Sequence, residues 1–188
     1  RREHWIFLDR YGSPAGSRTN PEPDYHPEVR PWFTGAEAAP GSPVLTLPYV
    51  FNSLKEPGVT ASRQVSPGIV AGVDITLSDL DRFLDTLWIS PGTGLLLLDS
   101  QGKVLGASDK MALWIGGEIP PLAGTADWDN PRISLLLKTA GNDNGRASVR
   151  KMEEGDFLFW NHRWTSAGGT EHRLVILSPL DDFLDSLA

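Results

Sequence analysis

The sequence predicts an α+β fold in which antiparallel sheets are flanked by helices. Three predicted strands in the last third of the chain, 146–152, 156–164 and 171–178, are joined by short turns that contain glycine. Strands joined by such tight turns must pair antiparallel, whereas parallel strands need long crossover connections, and the chain offers few of these. The clearest helix is 77–88, because its apolar residues recur at spacings of three and four.

The first part of the chain alternates a strand with irregular segments. Residues 3–9 are predicted as a strand, and 13–24 and 34–47 as loops, because proline, glycine and small residues are frequent in them. Between the two loops, Pro27 fits a first helical turn and Pro31 is expected to end it.

The middle of the chain combines three strands with the helix. The strands are predicted at 48–53, 59–65 and 69–75, and Pro-Gly turns separate them. Ser78 is the predicted N-cap of the helix that follows, with Asp81 three residues later as in a weak capping box.

The remaining elements are a hairpin, a second helix, the three last strands and a final helix. The hairpin is predicted over 93–98 and 103–107, around a turn that contains glycine. The second helix is predicted over 129–140, where Gly141 ends it. An amphipathic helix begins near residue 180.

The composition of the 188 residues excludes several classes of protein. With 24 acidic and 17 basic side chains, the chain has a formal charge of −7, so nucleic acid is not expected as a partner. The absence of cysteine excludes disulfides, thiol nucleophiles and cysteine-ligated metals. Although 19 glycines and 15 prolines indicate many turns, a hydrophobic fraction of 40% and seven tryptophans predict a folded core.

The sequence contains no segment that could span a membrane. A membrane-spanning helix needs roughly 20 apolar residues. The purely apolar runs of this sequence, such as Leu95–Leu98, are much shorter. The chain begins in a predicted strand, without an initiator Met or a signal-peptide pattern, and it ends in a helix without a stop signal. We therefore expect that it is excised from a longer protein.

The common catalytic and metal-binding motifs are missing. There is no G-x-S-x-G, no glycine-rich phosphate or dinucleotide loop, and no H-E-x-x-H. His162 and His172 could face each other across a hairpin and bind zinc, but exposed strand positions are the favoured interpretation. Residues 142–145 resemble part of a calcium loop, yet Ala140 and Lys151 stand where carboxylates are needed, which favours a turn. Neither a metal nor a cofactor is expected.

One segment combines aromatic side chains with a single arginine. The Arg30 guanidinium can bind a carboxylate through two parallel hydrogen bonds. Tyr25, Trp32 and Phe33 can form walls around an apolar body or an ammonium group. This combination predicts a site for a small organic molecule.

Three later residues extend this cluster. Tyr49 and Phe51 point to the same face of a predicted strand. Asp74 ends a strand that is expected to be buried, so its carboxylate must be paired or hydrogen-bonded, and a ligand ammonium is one such partner. The competing interpretations are a salt bridge between Asp74 and Arg30, or bonds from them to loop backbone, with the aromatic side chains packed in the core.

The order of these motifs resembles that of the double Cache sensor domain. This family forms the extracytoplasmic part of bacterial chemoreceptors, sensor histidine kinases and membrane-bound nucleotide cyclases. The matching stretches are 25–33, 48–49 and 70–87, followed by 95–108 and 171–184.

The resemblance implies two PAS-like modules, a membrane-distal one at 1–88 that holds the ligand and a membrane-proximal one at 89–188. It also implies an N-terminal stalk helix and two flanking transmembrane helices, which this sequence lacks. On this basis the chain is expected to be the periplasmic part of an inner-membrane protein. A homodimer is compatible with this expectation.

The resemblance also implies ligand contacts, because members of the family that bind amino acids share a set of pocket residues. By position these are Tyr25, Arg30, Trp32, Phe33, Tyr49 and Asp74. Arg30 is then expected to hold a carboxylate and Asp74 an ammonium group. Phe33 lacks the hydroxyl usual at its place, and Phe51 stands where amino-acid binders tend to carry an aspartate, so the pocket is expected to be more apolar.

The leading prediction is a non-catalytic sensor module. It binds an amino-acid-like, amine or carboxylate ligand and passes a conformational change to the helix at 182–184. The alternative is a secreted carbohydrate- or peptide-binding module, given the seven tryptophans. A third interpretation is a hydrolase that uses Asp74 with a histidine. Flanking transmembrane helices in the full gene distinguish the first from the second, and binding without turnover distinguishes it from the third.

Overall fold

The computed structural model describes residues 3–21, 25–124, 132, 145–166 and 169–184. Their strands form three sheets, of two, four and five strands, and every strand pair is antiparallel. Helices pack against the two larger sheets. The predicted α+β class with antiparallel sheets flanked by helices is thus confirmed. Within these ranges, no helix has both the length and the apolar character that crossing a membrane requires.

The two-stranded sheet is a hairpin of β1 (Glu3–Leu8) and β2 (Pro14–Asn20). The prediction of a loop over 13–24 is therefore wrong for the residues of β2. The Asp9 carboxylate closes the turn, because it accepts hydrogen bonds from the backbone N–H groups of Tyr11 (2.8 Å) and Ser13 (2.9 Å). Strand β2 is exposed along most of its length. Its pairing therefore depends on backbone hydrogen bonds, and its sequence lacks the alternation of apolar and polar residues that would predict a strand.

Pro31 begins a helix as well as ending one. A 3₁₀ turn at Pro27–Val29 is followed by α1 (Pro31–Ala38), in which Pro31 occupies the first turn. Proline is tolerated there because the first N–H groups of a helix have no intrahelical acceptor. The predicted loop over 34–47 is therefore helical at its start, and it contains β3 (Val44–Leu45) near its end.

The four-stranded sheet is built around its longest strand, β5 (Pro57–Ser66). One edge of β5 pairs with β6 (Ile69–Thr76), and the other edge pairs with β3 and with β4 (Tyr49–Val50). The Ser62 hydroxyl donates a hydrogen bond to the carbonyl oxygen of Trp32 in α1 (2.7 Å). Helix α1 therefore lies over the face of the sheet that contains Ser62.

Helix α2 (Leu77–Thr86) begins one residue after Thr76, which is its N-cap in place of the predicted Ser78. The Thr76 hydroxyl accepts a hydrogen bond from the backbone N–H of Asp79 (3.0 Å) and donates one to the Asp79 carboxylate (2.7 Å). Thr76 and Asp79 form a capping-box pair two residues earlier in the sequence than the predicted pair of Ser78 and Asp81, since the Asp79 carboxylate also interacts with the Thr76 backbone N–H. The hydrogen bond from Thr76 is the main reason why the pKa of Asp79 lies below its usual value.

The cap makes a first prediction. We expect Thr76→Ala to lower the free energy of unfolding by about 1 kcal/mol, as is typical for loss of an N-cap hydroxyl. Thr86→Ala is the matched control, because the exposed Thr86 hydroxyl only donates to the Phe83 carbonyl at the other end of α2. Urea denaturation of both variants measures the difference. Equal losses in the two variants would contradict the assignment of Thr76 as the cap.

The five-stranded sheet follows α2, with its strands in the order β8-β7-β11-β10-β9. Its strands are β7 (Gly94–Asp99), β8 (Val104–Ala107), β9 (Ala147–Met152), β10 (Gly155–Thr165) and β11 (Glu171–Pro179). These bounds confirm the predicted hairpin and the three predicted C-terminal strands to within two residues.

Two helices in the described ranges accompany this sheet, and the sequence predicted only the second of them. Helix α3 (Asp109–Ile115) is capped by the Ser108 hydroxyl, which accepts from the N–H of Met111, and it ends at Gly116 with φ of 78°. Seven residues are too few for a clear helical period. Helix α4 (Asp181–Leu184) follows β11. The helix predicted over 129–140 lies outside the described residues apart from Arg132.

The buried apolar side chains of the described residues form two clusters. The larger cluster lies between the five-stranded sheet and α3, and it consists of Leu96, Leu98, Val104, Met111, Ile115, Phe157, Phe159, Val175 and Leu177. The smaller cluster joins Val59 of β5, Leu77 of α2 and Leu105 of β8. The two larger sheets therefore share apolar contacts through α2.

Candidate functional site

A cavity of about 380 Å³ lies between the N-terminal hairpin, the start of α1 and the four-stranded sheet. We call it the Arg30 cavity. Its lining residues are Trp5, Arg18, Asn20, Tyr25, Arg30, Tyr49, Phe51, Asn52, Ser53 and Asp74. A smaller cavity of about 160 Å³ shares Tyr25 and Asp74 with it, and Trp32, Thr60 and Gly72 complete that lining. The volume of the Arg30 cavity suits a small organic ligand.

Arg30 stands at the junction between the 3₁₀ turn and α1, where its backbone is extended. Its guanidinium donates one hydrogen bond, from Nη2 to the carbonyl oxygen of Val50 (3.2 Å). The same group lies over the rings of Tyr25 (5.8 Å) and Tyr49 (5.3 Å), at cation–π distance. Its Nε is buried and has no hydrogen-bond partner. The side chain is thus held in place while donor capacity remains for an anion.

Tyr25 is oriented by Trp32, whose indole N–H donates to the phenolic oxygen of Tyr25 (3.1 Å). Since the Tyr25 oxygen accepts this bond, its own hydrogen is available to donate elsewhere. Tyr25 and Arg30 therefore form a donor side of the cavity.

Asp74 is held by a chain of hydroxyl groups. The Thr60 hydroxyl donates to Oδ1 of Asp74 (2.6 Å) and also lies 2.6 Å from the Tyr49 hydroxyl. Thr60 has a single hydroxyl hydrogen, so Tyr49 must be the donor in the second bond. Oδ2 of Asp74 and the lone pairs of Tyr49 then remain as acceptors. Asp74 and Tyr49 form an acceptor side of the cavity.

Burial raises the pKa of the Tyr49 hydroxyl above its ordinary value, and the negative charge of Asp74 acts in the same direction. Tyr49 therefore stays protonated at neutral pH. A protonated Tyr49 is what the donor role toward Thr60 requires.

The environment of Asp74 differs from the buried strand end that the sequence predicted. Strand β6 is exposed over most of its length, and Asp74 is itself exposed. No salt bridge joins Asp74 to Arg30 in the described part of the chain; Asp74 bonds to Thr60 and Arg30 to the Val50 backbone. The two charged groups thus line one cavity without neutralising each other.

The structure distributes the seven predicted site residues unevenly. Five of them line the Arg30 cavity, namely Tyr25, Arg30, Tyr49, Phe51 and Asp74. Trp32 lines the smaller cavity beside it. Phe33 lines neither of these two cavities and packs edge-on against Trp32, with ring centroids 5.5 Å apart. Phe51 is only 2% exposed, so its ring serves the core as well as the cavity wall.

Sequence reasoning missed the contribution of the N-terminal hairpin. Trp5 of β1 and Arg18 of β2 are direct cross-strand partners, so both side chains lie on the same face of the hairpin, and both line the cavity. Finding them required β2 to be predicted as a strand. Asn52 and Ser53, in the loop after β4, have no motif that marks them.

His162 and His172 form part of a row of neighbouring aromatic rings on β10 and β11. Trp160, His162 and Trp164 stack in turn, with centroid distances of 5.5 and 6.4 Å, and His172 of β11 lies beside Trp164 at 5.5 Å. The expectation of exposed positions is wrong for His172, which is 2% exposed; burial lowers its pKa. Among the described residues, no three metal-binding side chains cluster. Among the described residues that line the two cavities there is no histidine.

No family model matches the chain. Two curated relatives share sequence with it. Adenylate cyclase 1 of Rhizobium meliloti (strain 1021) is 25% identical over 195 residues, which cover 95% of this chain and 27% of the cyclase. The methyl-accepting chemotaxis protein PscA of Pseudomonas syringae pv. tomato (strain ATCC BAA-871 / DC3000) is 30% identical over 99 residues, which cover 50% of this chain and 15% of the receptor. The chain thus spans a minor part of the length of both relatives.

Solved structures resemble most of the chain. The ligand-binding domain of the Pseudomonas fluorescens chemoreceptor CtaA, in complex with L-alanine, aligns with 96% of this chain and 73% of its own, at a TM-score of 0.53 and 21% identity. The ligand-binding domain of the Pseudomonas aeruginosa PAO1 amino acid chemoreceptor PctB, in complex with L-Arg, aligns with 88% of this chain and 68% of its own. Its TM-score is 0.54 and its sequence identity is 18%. The chain has the fold of a chemoreceptor ligand-binding domain. The resemblance to double Cache sensor domains is confirmed at the level of the fold.

Proposed function

We propose that this chain is the extracytoplasmic sensor domain of a transmembrane signalling protein, and that it binds an amino-acid-like, amine or carboxylate ligand in the Arg30 cavity. One observation carries the proposal: Arg30 and Tyr25 on the donor side and Asp74 and Tyr49 on the acceptor side line the same cavity, and in the described residues no salt bridge or hydrogen bond joins Arg30 to Asp74. A carboxylate on the ligand would face the first pair, and an ammonium group the second.

The chemistry of the two sides supports a zwitterionic ligand. A guanidinium binds a carboxylate through charge-assisted hydrogen bonds, which are about twice as strong as neutral ones. The three N–H donors of an ammonium group match the free Oδ2 of Asp74 and the Tyr49 oxygen, while the nearby rings of Tyr25 and Tyr49 favour a cation. A ligand with a single charged group would use one side of the cavity.

The comparisons favour this role over a secreted carbohydrate- or peptide-binding module. The two solved domains named above are complexes with amino acids, and the two relatives are a cyclase and a chemotaxis protein. We infer that the domain itself is non-catalytic and that any catalytic output belongs to another part of the full protein. Membrane anchoring through flanking helices and assembly into a homodimer are part of the same proposal.

We further propose that residues 1–88 form the ligand-binding module and 89–188 the module that transmits the change. The apolar cluster of Val59, Leu77 and Leu105 supports contact between them. At the far end, the Asp182 carboxylate in α4 accepts hydrogen bonds from the Ser90 hydroxyl (2.6 Å) and the Gly92 N–H (2.7 Å). These two hydrogen bonds connect α4 to the segment that follows α2. A shift of α2 could reach α4 by this route, with coupling limited by the ligand's differential affinity for the two states.

A thermal-shift screen of amino acids, amines, purines and carboxylates tests the proposal. A compound present at 100 times its dissociation constant stabilises the folded chain by about 2.7 kcal/mol, which moves the melting temperature by several degrees. We expect hits among compounds that carry a carboxylate, an amine or both. A screen whose strongest hit is a neutral sugar or a purine without either group would contradict the proposal.

A further inference from the structure

The Arg30 cavity contains a second arginine that the ligand model above does not use. Arg18 lies on β2, and it lines the cavity together with its cross-strand partner Trp5. Within the described ranges its guanidinium has no ion pair or hydrogen bond. This positive charge is available to a ligand.

The charges of the lining do not balance for a simple zwitterion. The described residues that line the cavity include two cations, Arg18 and Arg30, and one anion, Asp74. A neutral amino acid offers one carboxylate for Arg30 and one ammonium for Asp74, which leaves Arg18 unmatched. A ligand with an additional anionic group would satisfy all three charges, and its net charge of −1 would complement the cavity.

The two arginines also enter the cavity from different elements. Arg30 stands at the start of α1, whereas Arg18 is presented by the N-terminal hairpin. A cavity of about 380 Å³ has room for a chain of several carbons between two anionic groups. The arginines could therefore bind separate carboxylates of one molecule.

We propose that Arg18 selects for a ligand with a second carboxylate, so that the preferred ligand class is the acidic amino acids. This inference rests on the proposed function, since it assumes that Arg30 and Asp74 hold the α-carboxylate and the ammonium group. In this arrangement the side-chain carboxylate is bound by Arg18, a specificity-determining residue supplied by the hairpin.

The test compares L-glutamate with L-glutamine, which has nearly the same shape but a neutral side chain. Isothermal titration of the chain is expected to give an affinity for glutamate at least about tenfold higher, as one charge-assisted hydrogen-bonded pair provides. The variant Arg18→Gln is expected to bring the ratio of the two affinities close to one, because it removes the charge that distinguishes glutamate from glutamine. L-Aspartate and L-asparagine form a second pair with a shorter side chain.

Two further variants guard against a merely structural effect. Arg10→Gln is the matched control, because Arg10 is an exposed arginine of the same hairpin that stacks over Tyr11 and does not line the cavity. It is expected to retain the preference for glutamate. Arg18→Glu, with the opposite charge, is expected to disfavour glutamate more than Arg18→Gln does. Melting temperatures of the unliganded variants check that each remains folded.

The outcomes separate this inference from the proposed function. Equal binding of glutamate and glutamine, or a preference that survives Arg18→Gln, overturns the role of Arg18 and leaves the proposed function intact. Absence of binding by all four amino acids also overturns it, while an amine or monocarboxylate that binds through Arg30 and Asp74 still supports the proposed function. Binding of glutamate that does not depend on Arg30 contradicts the proposed function itself.

Discussion

Arg30→Ala is expected to lower the affinity of the Arg30 cavity for a carboxylate ligand by about 30-fold or more. The variant removes the charged donor of the cavity, and losing one partner of a desolvated charge pair costs about 2–5 kcal/mol. The unliganded fold should lose little, because Arg30 makes one hydrogen bond, to Val50, and two cation–π contacts. Calorimetric titration of wild type and variant with the strongest hit of the screen measures the change.

Arg63→Ala is the control for this experiment. Arg63 is an exposed arginine of β5 that lines neither the Arg30 cavity nor the smaller cavity beside it. Its replacement should leave the affinity within about threefold of wild type. An equal loss in both variants would indicate a general electrostatic effect, and an unchanged affinity in Arg30→Ala would exclude Arg30 as the carboxylate anchor.

Asp74→Asn provides the complementary comparison, because it keeps the shape of the side chain and removes its charge. We expect it to weaken binding of ligands that carry an ammonium group and to spare the corresponding carboxylates without an amine. A uniform loss across both ligand classes would mean that Asp74 supports the fold of the cavity and does not recognise the ammonium group.

Gly58→Ala is expected to destabilise the chain by about 1–3 kcal/mol, the usual cost of overpacking. A Cβ at residue 58 would collide with the ring of Phe51 and would lie 2.5 Å from the carbonyl oxygen of Ile75. The backbone oxygen cannot move aside without breaking the pairing of β5 with β6, where Gly58 is opposite Thr76. The collision also displaces Phe51, so ligand binding should fall as well.

Gly117→Ala is the matched control, because a Cβ there meets no atom within 4 Å and its backbone φ is not in the left-handed region. Its effect should stay within about 0.5 kcal/mol. In a double-mutant cycle, Phe51→Ala should reduce the cost of Gly58→Ala, since it removes one of the two obstacles. Urea denaturation measures the change in the free energy of unfolding for each variant. If the changes of the two single substitutions simply add in the double variant, Phe51 does not clash with the new side chain at residue 58.

Much of the fold was predictable because its C-terminal strands are long and joined by clear turns. The hairpin of β7 and β8 and the strands β9, β10 and β11 follow directly from alternation of strand and turn residues. Strand β2 was missed because most residues of Pro14–Asn20 are small and exposed. Their pairing with β1 is made by the backbone and has no side-chain pattern that predicts it. Helix α3 was missed because seven residues do not establish a period.

The site was predictable to the extent that its residues lie in recognisable motifs. Tyr25, Arg30, Tyr49 and Asp74 were proposed together, and the structure places all four around one cavity. The hydrogen-bond chain through Thr60 could not be predicted, since it depends on the register that puts Thr60 opposite Asp74. The place of Arg18 in the lining depends in the same way on the unpredicted pairing of β1 with β2.

A crystal structure of the chain with the strongest binder of the screen tests the central claim most directly. The proposal predicts a carboxylate of the ligand within hydrogen-bond distance of the Arg30 guanidinium and the Tyr25 hydroxyl, about 2.7–3.2 Å, and an ammonium group at the same distance from Asp74. Both contacts are to be found in the Arg30 cavity. Ligand density at the five-stranded sheet, with the Arg30 cavity filled only by water, would contradict it.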